Sequence, residues 1–133
     1  MTERVVLDAN VLISAVNSGD AKHLDSYGFI KDRQCTTWVV PTIAYFEFQA
    51  AQSRLRREGK RALRELYLPN AEVFEITAAT LRRASEEGLF ESLSQLRGAD
   101  LVYACVAALE HLPLATHDSH FRSVETRISV LWV

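Results

Sequence analysis

Cysteine is scarce in this chain. The two cysteines, Cys35 and Cys105, are far apart in the sequence and lie in apolar surroundings. This placement fits neither a disulfide framework nor the close ligand spacing of a zinc site. We therefore expect both side chains to be small core residues in a reducing cytoplasm.

Long hydrophobic runs are also missing. No stretch approaches the roughly 18 apolar residues that a membrane-spanning helix needs. The first residues include Glu3, Arg4 and Asp8, so an uninterrupted apolar stretch of the secretory type is absent as well. The sequence predicts a soluble, cytoplasmic protein with no membrane partner.

An excess of charge of one sign is absent too. The formal net charge is −2, so any nucleic-acid binding requires a local basic patch. Repeats, low-complexity tracts and linkers are not found. With 133 residues, 48% of them hydrophobic, the chain is predicted to form one domain over residues 1–133 with a substantial core.

Predicted strands alternate with predicted helices along the chain. The strands are expected at 4–7, 36–40, 72–76, 114–116 and 128–133. The helices are expected at 10–16, 21–33, 42–57, 60–68, 77–96 and 99–111, with Asn10 as a possible cap and a loop or helical turn over 118–124. This alternation predicts a three-layer α/β/α sandwich with a central parallel sheet of about five strands.

Four acidic residues fall where one end of that sheet would lie. Asp8 ends the first strand, and Asp118 follows the strand 114–116. Asp100 lies in the first turn of the helix before that strand, and Glu47 lies on the helix after the second strand. Ligands bind beyond the carboxyl ends of parallel strands, so we expect these four side chains to converge.

Each acid also has an ordinary structural explanation. Asp8 could close a strand-to-helix turn, and Asp100 could favour the positive end of a helix. Asp118 could cap the turn that follows it, and Glu47 could reach solvent from the edge of an apolar stripe. These explanations remain open for each residue taken singly.

The four acids together favour a metal site. Two unit charges about 5 Å apart repel by about 3 kcal/mol at an effective dielectric constant of 20. Mg²⁺ or Mn²⁺ would relieve this repulsion, because these ions prefer carboxylate and water oxygens. His117 and His120 flank Asp118, but we expect them to be surface residues, and no His and Cys cluster indicates a softer metal.

These segments resemble a known family, the PIN-domain (PilT N-terminus) nucleases, and most of all the VapC toxins of toxin–antitoxin pairs. The similar segments are LDANVLI, PTIAYFEF, GADLVYACVAALEHLPLATHDSHF and the final apolar strand. The resemblance implies five parallel strands with the first in the centre. It also implies an acidic metal site of Asp8, Glu47, Asp100 and Asp118, supported by Asn10 and Thr116.

The resemblance further implies an activity and partners. The expected reaction is hydrolysis of RNA phosphodiester bonds with one or two Mg²⁺ or Mn²⁺ ions. One ion can lower the pKa of a bound water while a second, about 3.5–4 Å away, stabilises the leaving oxygen. A homodimer and a small antitoxin protein are the expected protein partners, with Tyr45, Phe46 and Phe48 as core or contact residues.

A local basic segment could bind the RNA backbone. The stretch SRLRREGKRALREL has a net charge of +4 and contains Arg54, Arg57 and Arg61, which would share a helix face if the helix were continuous. Arg97, three residues before Asp100, could contact a phosphate. The alternative for all four is a solvated surface, which is what most charged runs are.

Two other functions compete with the nuclease. A phospho-receiver domain has a similar length and an Asp-rich magnesium site. It requires paired acids at the first strand and a Lys after the last, whereas Asp8 is single and ISVLWV contains no Lys. A non-catalytic PIN-like module that binds RNA or protein remains open.

Overall fold

Five parallel strands form one sheet in the computed structural model, which describes residues 3–60, 68 and 70–133. The strands are β1 (Arg4–Leu7), β2 (Thr37–Pro41), β3 (Ala71–Phe74), β4 (Leu114–Thr116) and β5 (Val130–Trp132). Their spatial order is β3-β2-β1-β4-β5, and every neighbouring pair is parallel. The predicted α/β fold and the central position of the first strand are confirmed.

The sequence of β1 explains its central position. Val5, Val6 and Leu7 are each 0% exposed, and successive side chains of a strand point to opposite faces of the sheet. Both faces are therefore covered, as expected for parallel sheets. The edge strand β3 differs, because Val73 is 51% exposed.

Helices join and cover the strands. They are α1 (Ala9–Val16), α2 (His23–Lys31), α3 (Thr42–Arg57), α4 (Ala78–Glu86), α5 (Leu89–Ser92) and α6 (Gly98–Glu110), with a 3₁₀-helix over Ser119–Val124. Helix α1 packs against α2 and α3, and α6 packs against α4, β1 and β4. None of the helices in the described part of the chain combines the length and the apolar character needed to cross a membrane.

The single helix predicted over 77–96 is wrong. Thr77 caps α4 as expected, but the helix ends at Glu86 and a new one begins at Leu89. Between them Gly88 has φ 68°, a left-handed conformation that ends α-helices and that glycine adopts without strain. The turn directs Leu89 and Leu93 into the core, where both are buried.

Three other local predictions are also corrected. Cys35, expected in the core, is exposed, whereas Cys105 is buried as expected. Asn10 does not cap α1; the cap is Asp8, and the helix begins at Ala9. Pro41 is the last residue of β2, paired with Phe74, and it also precedes α3, as its fixed φ allows. The helix predicted over 60–68 falls largely outside the described residues.

Candidate functional site

Asp8 lies at the carboxyl end of the central strand, where β1 passes into α1. Its Oδ1 accepts a hydrogen bond from the backbone nitrogen of Asn10 at 3.1 Å, and its Oδ2 accepts one from Thr116 Oγ1 at 2.7 Å. Only 2% of Asp8 is exposed. The buried carboxyl group is therefore fixed in direction by two donors from two different segments.

The surroundings of Asp8 oppose its ionisation. Burial raises the pKa of Asp8 from 3.8 to about 7, although the hydrogen bonds from Thr116 and Asn10 act in the opposite direction. The negative charges of Glu47 and Asp100 raise this pKa further, which places both groups within electrostatic range. A buried acid with a perturbed pKa next to other acids is typical of a functional site.

Thr116 links Asp8 to Asp118. It is the last residue of β4 and is 0% exposed. Its hydroxyl donates to Asp8 and accepts a hydrogen bond from the backbone nitrogen of Asp118 at 3.0 Å. The parallel pairing of β1 and β4 brings these two strand ends side by side. The structure thus places Thr116 where a residue that supports the acidic cluster would lie.

Glu47 reaches the same end of the sheet from α3. Its Oε1 accepts a hydrogen bond from the hydroxyl of Tyr103 at 2.6 Å. That hydroxyl also accepts a hydrogen bond from the backbone nitrogen of Ala9, at 3.3 Å. Tyr103 is 1% exposed, and burial together with the contact to Glu47 raises its pKa. Tyr103 therefore stays neutral and connects α3 and α6 to the turn after Asp8.

Asp100 and Asp118 meet through His120. The Nδ1 atom of His120 lies 3.2 Å from Asp100 Oδ2 and 3.4 Å from Asp118 Oδ1. Burial raises the pKa of Asp100, the hydrogen bond from His120 lowers it, and the charge of Asp118 raises it. Both carboxylates are partly exposed, with side-chain exposures of 24% and 19%, so a ligand can reach them.

The structure thus brings the four predicted acids to one end of the sheet. Thr116 connects Asp8 to the backbone of Asp118, Tyr103 connects Glu47 to the Ala9 backbone next to Asp8, and His120 connects Asp100 to Asp118. Asn10 contributes its backbone: the nitrogen binds Asp8, and the oxygen lies 3.2 Å from His117 Nε2.

The donor set fits a hard divalent cation. Oxygen atoms of Asp100 and Asp118 and a ring nitrogen of His120 all lie within 4.8 Å of one another. Carboxylate oxygens are the preferred ligands of Mg²⁺ and Mn²⁺. A bound cation would offset the repulsion that the charges of Glu47 and Asp100 exert on Asp8.

The predicted basic residues are not part of this acidic cluster. Arg54 and Arg57 are exposed in the last turns of α3, about 10 and 15 Å along the helix axis from Glu47 at 1.5 Å per residue. Arg97 is exposed and precedes α6, three residues before Asp100. Arg61 lies outside the described residues.

Two residues near the acids were not predicted as part of the site. Tyr103 lies three residues after Asp100, on the same side of α6, and this spacing is the signal that could have indicated it. His120 was expected to be a surface residue. It is exposed, but it also contacts two of the acids because the 3₁₀-helix begins directly after Asp118.

Comparison with known proteins places this geometry in a family. The family model of the PIN domain matches residues 5–126. No curated protein matches the chain by sequence. Two solved structures are similar to this chain, and both likenesses concern the fold.

The first is the VapBC2 structure from Rickettsia felis bound to a DNA fragment from its promoter. It has a TM-score of 0.65 and 17% identity, with 98% of each chain covered. The second is Mycobacterium tuberculosis VapC20, described as a sarcin–ricin loop cleaving toxin. It has a TM-score of 0.63 and 15% identity, with 90% of this chain and 94% of that chain covered. The match over residues 5–126 shows that the chain belongs to the PIN domain family.

Proposed function

We propose that this protein is a metal-dependent endoribonuclease that hydrolyses RNA phosphodiester bonds. The observation that carries the proposal is the meeting of Asp8, Glu47, Asp100 and Asp118 at the carboxyl end of β1 and β4 in a PIN-domain fold. Such a set of acids suits the binding of Mg²⁺ or Mn²⁺, in one or two ions.

Each acid has a defined part in this proposal. Asp8 and Asp100 hold the ion, and Thr116 and the Asn10 backbone keep Asp8 directed toward it. Asp118 is a further ligand of the ion, and Glu47 orients water near it. When bound, the metal supplies a water of lowered pKa and a positive charge for the phosphodiester oxygens.

Tyr103 keeps Glu47 in place for this task. Its hydroxyl group donates a hydrogen bond to the Glu47 carboxylate and accepts one from the backbone N–H of Ala9. The carboxylate therefore has one oxygen held and the other, Oε2, available for a water. This division of the two oxygens gives Glu47 a fixed orientation without neutralising its charge.

RNA as the substrate is supported by one structural neighbour. VapC20 is described as cleaving the sarcin–ricin loop, and this chain shares its fold at 15% identity. Arg54, Arg57, Arg61 and Arg97 are the proposed contacts to the phosphate backbone, because cationic side chains attract a polyanion that the acids themselves repel.

We also propose a toxin role with protein partners in the cytoplasm. A neighbour occurs in a VapBC2 structure, which supports a small antitoxin as the partner of this chain. Tyr45 and Phe46 are 45% and 76% exposed on α3, so they are available to pack against an antitoxin or against a second copy in a homodimer. A gene for a small DNA-binding protein directly upstream would support this role.

The sheet order disfavours the phospho-receiver alternative. Flavodoxin-like receivers have the order 2-1-3-4-5, with the third strand at the centre. Here β3 is an edge strand and β1 is central. The remaining alternative is a PIN-like module that binds RNA or protein without cleaving it.

Incubation with RNA tests the proposal. Purified protein without any partner is mixed with total RNA and Mg²⁺ or Mn²⁺, with and without EDTA. We expect cleavage with either metal, none with EDTA, and none with Asp100→Asn. The matched control is Asp32→Asn, which removes one charge at the C-cap of α2, just before β2 and so at the other end of the sheet. Binding of RNA without cleavage would favour the non-catalytic alternative.

A further inference from the structure

His120 stands out from the acids because it brings a nitrogen donor to a cluster of oxygen donors. We propose that His120 binds the divalent ion through Nδ1, together with Asp100 and Asp118, and thereby makes the site select Mn²⁺ over Mg²⁺. The inference rests on the proposed metal-dependent function and adds a ligand that the sequence analysis did not assign.

The distances fit neighbouring ligands of one ion. In an octahedral site with bonds of roughly 2.1 Å, adjacent donor atoms lie roughly 3 Å apart. His120 Nδ1 is 3.2 Å from Asp100 Oδ2 and 3.4 Å from Asp118 Oδ1. A small movement of the ring would therefore place all three donors around one ion.

The local fold directs the ring toward the acids. The backbone nitrogen of His120 donates to Asp118 Oδ1 at 2.9 Å, which fixes the first turn of the 3₁₀-helix. The next residue, Phe121, is 0% exposed and anchors the turn in the core. The ring nitrogen nearest to the backbone, Nδ1, then points back to the carboxylates.

The exposure of His120 suits a ligand. Its side chain is 73% exposed, so Nε2 reaches solvent and can carry the ring proton while Nδ1 binds the ion. A neutral imidazole bound in this way adds no charge to the site. The net negative charge of the carboxylates therefore remains available to attract the cation.

The nitrogen donor explains the expected selectivity. Mg²⁺ strongly prefers oxygen ligands and water, whereas affinity for sites that contain nitrogen rises along the first-row series from Mn²⁺. A site made of carboxylates alone discriminates less between the two ions. His120 should therefore contribute to the binding of Mn²⁺ much more than to the binding of Mg²⁺.

Pulsed electron paramagnetic resonance of bound Mn²⁺ tests this directly. Electron spin echo modulation detects a ¹⁴N nucleus bonded to Mn²⁺ and does not depend on RNA cleavage. The full chain is loaded with one equivalent of Mn²⁺, as the wild type, as His120→Gln and as His111→Asn. His111 lies at the far end of α6 with φ 54°, a conformation that Asn tolerates, so this variant is the matched control.

We expect ¹⁴N modulation in the wild type and in His111→Asn, and its loss in His120→Gln. In parallel, we expect His120→Gln to weaken Mn²⁺ binding by about tenfold and Mg²⁺ binding by less than about threefold, as measured by calorimetry. Thermal unfolding of the metal-free variants verifies that they fold.

Three results would overturn the inference. Bound Mn²⁺ without ¹⁴N modulation in the wild type would make His120 only a hydrogen-bond partner of the acids, and the proposed nuclease would stand. Modulation that persists in His120→Gln would assign the nitrogen to another residue. A wild-type spectrum of free aqueous Mn²⁺ would refute the metal site itself, and the proposed function with it.

Discussion

The hydroxyl of Tyr103 lies 2.6 Å from Oε1 of Glu47, and the Tyr103 side chain is buried. The Tyr103 hydroxyl oxygen also accepts a hydrogen bond from the backbone N–H of Ala9, the first residue of α1. One side chain of α6 therefore sets the position of an acid on α3 relative to the turn that carries Asp8.

Replacing Tyr103 by Phe removes this connection and leaves the Ala9 N–H without its buried acceptor. We expect the free energy of unfolding to fall by about 2 kcal/mol and RNA cleavage to slow by about tenfold, because Glu47 loses its anchor. Urea unfolding and single-turnover cleavage measure the two effects. Tyr45→Phe, at an exposed position of α3, is the control, and equal cleavage rates for the two variants would contradict a positioning role of Tyr103.

Asp8→Asn tests the central acid. The variant keeps the size of the side chain but removes a charge that is buried and repelled by Glu47 and Asp100. We expect metal-dependent RNA cleavage to be abolished while the metal-free protein at pH 8 becomes more stable than the wild type. Cleavage at the wild-type rate would show that Asp8 holds no ion.

The raised pKa of Asp8 predicts how stability depends on pH without metal. The folded protein keeps the proton until about pH 7, whereas the unfolded chain releases it near 3.8. Between these values the unfolded state binds fewer protons, so the free energy of unfolding falls as pH rises. The full effect of Asp8 is about 4 kcal/mol.

Urea unfolding in EDTA, at intervals from pH 4 to pH 8, measures this dependence. The difference between the wild type and Asp8→Asn isolates the contribution of this carboxyl group from those of other titrating residues. Parallel pH profiles for the two proteins would mean that the carboxyl group is not perturbed by the fold.

Addition of metal should reverse the loss of stability at high pH. A ligand that binds only the folded state stabilises it by about 2.7 kcal/mol at 100 times its Kd. We expect Mn²⁺ at pH 8 to raise the unfolding midpoint of the wild type and to have little effect on Asp100→Asn. Equal shifts in both proteins would place the bound ion elsewhere.

Arg57→Ala tests the basic end of α3. Each phosphate contact that is lost reduces the salt dependence of RNA binding, by about 0.7 in the slope of log K against log[salt] for a single strand. Binding is measured in EDTA to prevent cleavage. The control is Arg127→Ala, because Arg127 is exposed just before β5 and so lies at the amino end of the parallel strands. Identical salt slopes for the two variants would make Arg57 part of a solvated surface only.

The sequence predicted the strands and the four acids because both can be recognised from short stretches of residues. A run such as Val5, Val6 and Leu7 predicts a strand buried on both faces, and an acid directly after it predicts the carboxyl end of the sheet. Thr116 and Asp118 lie next to Asp8 because β4 pairs with β1, as the family resemblance implied.

The contacts that complete the site have no such local signal. Tyr103 has the apolar ring of a core residue, and only the packing of α6 against β1 brings its hydroxyl to Glu47. His120 could be placed at the acids only after the turn following Asp118 was known. Gly88 could likewise be a helical residue or a stop, and its φ of 68° depends on where Leu89 must pack.

The hydrogen bond between Thr116 and Asp8 spans 108 positions of the chain. A ribosome must therefore synthesise most of the protein before β4 can join β1 and bring Asp118 to the other acids. If the chain cleaves RNA as proposed, this wide separation keeps the nascent polypeptide inert while it is still being translated. A nascent polypeptide that still lacks β4 cannot hold Asp118 beside the other acids.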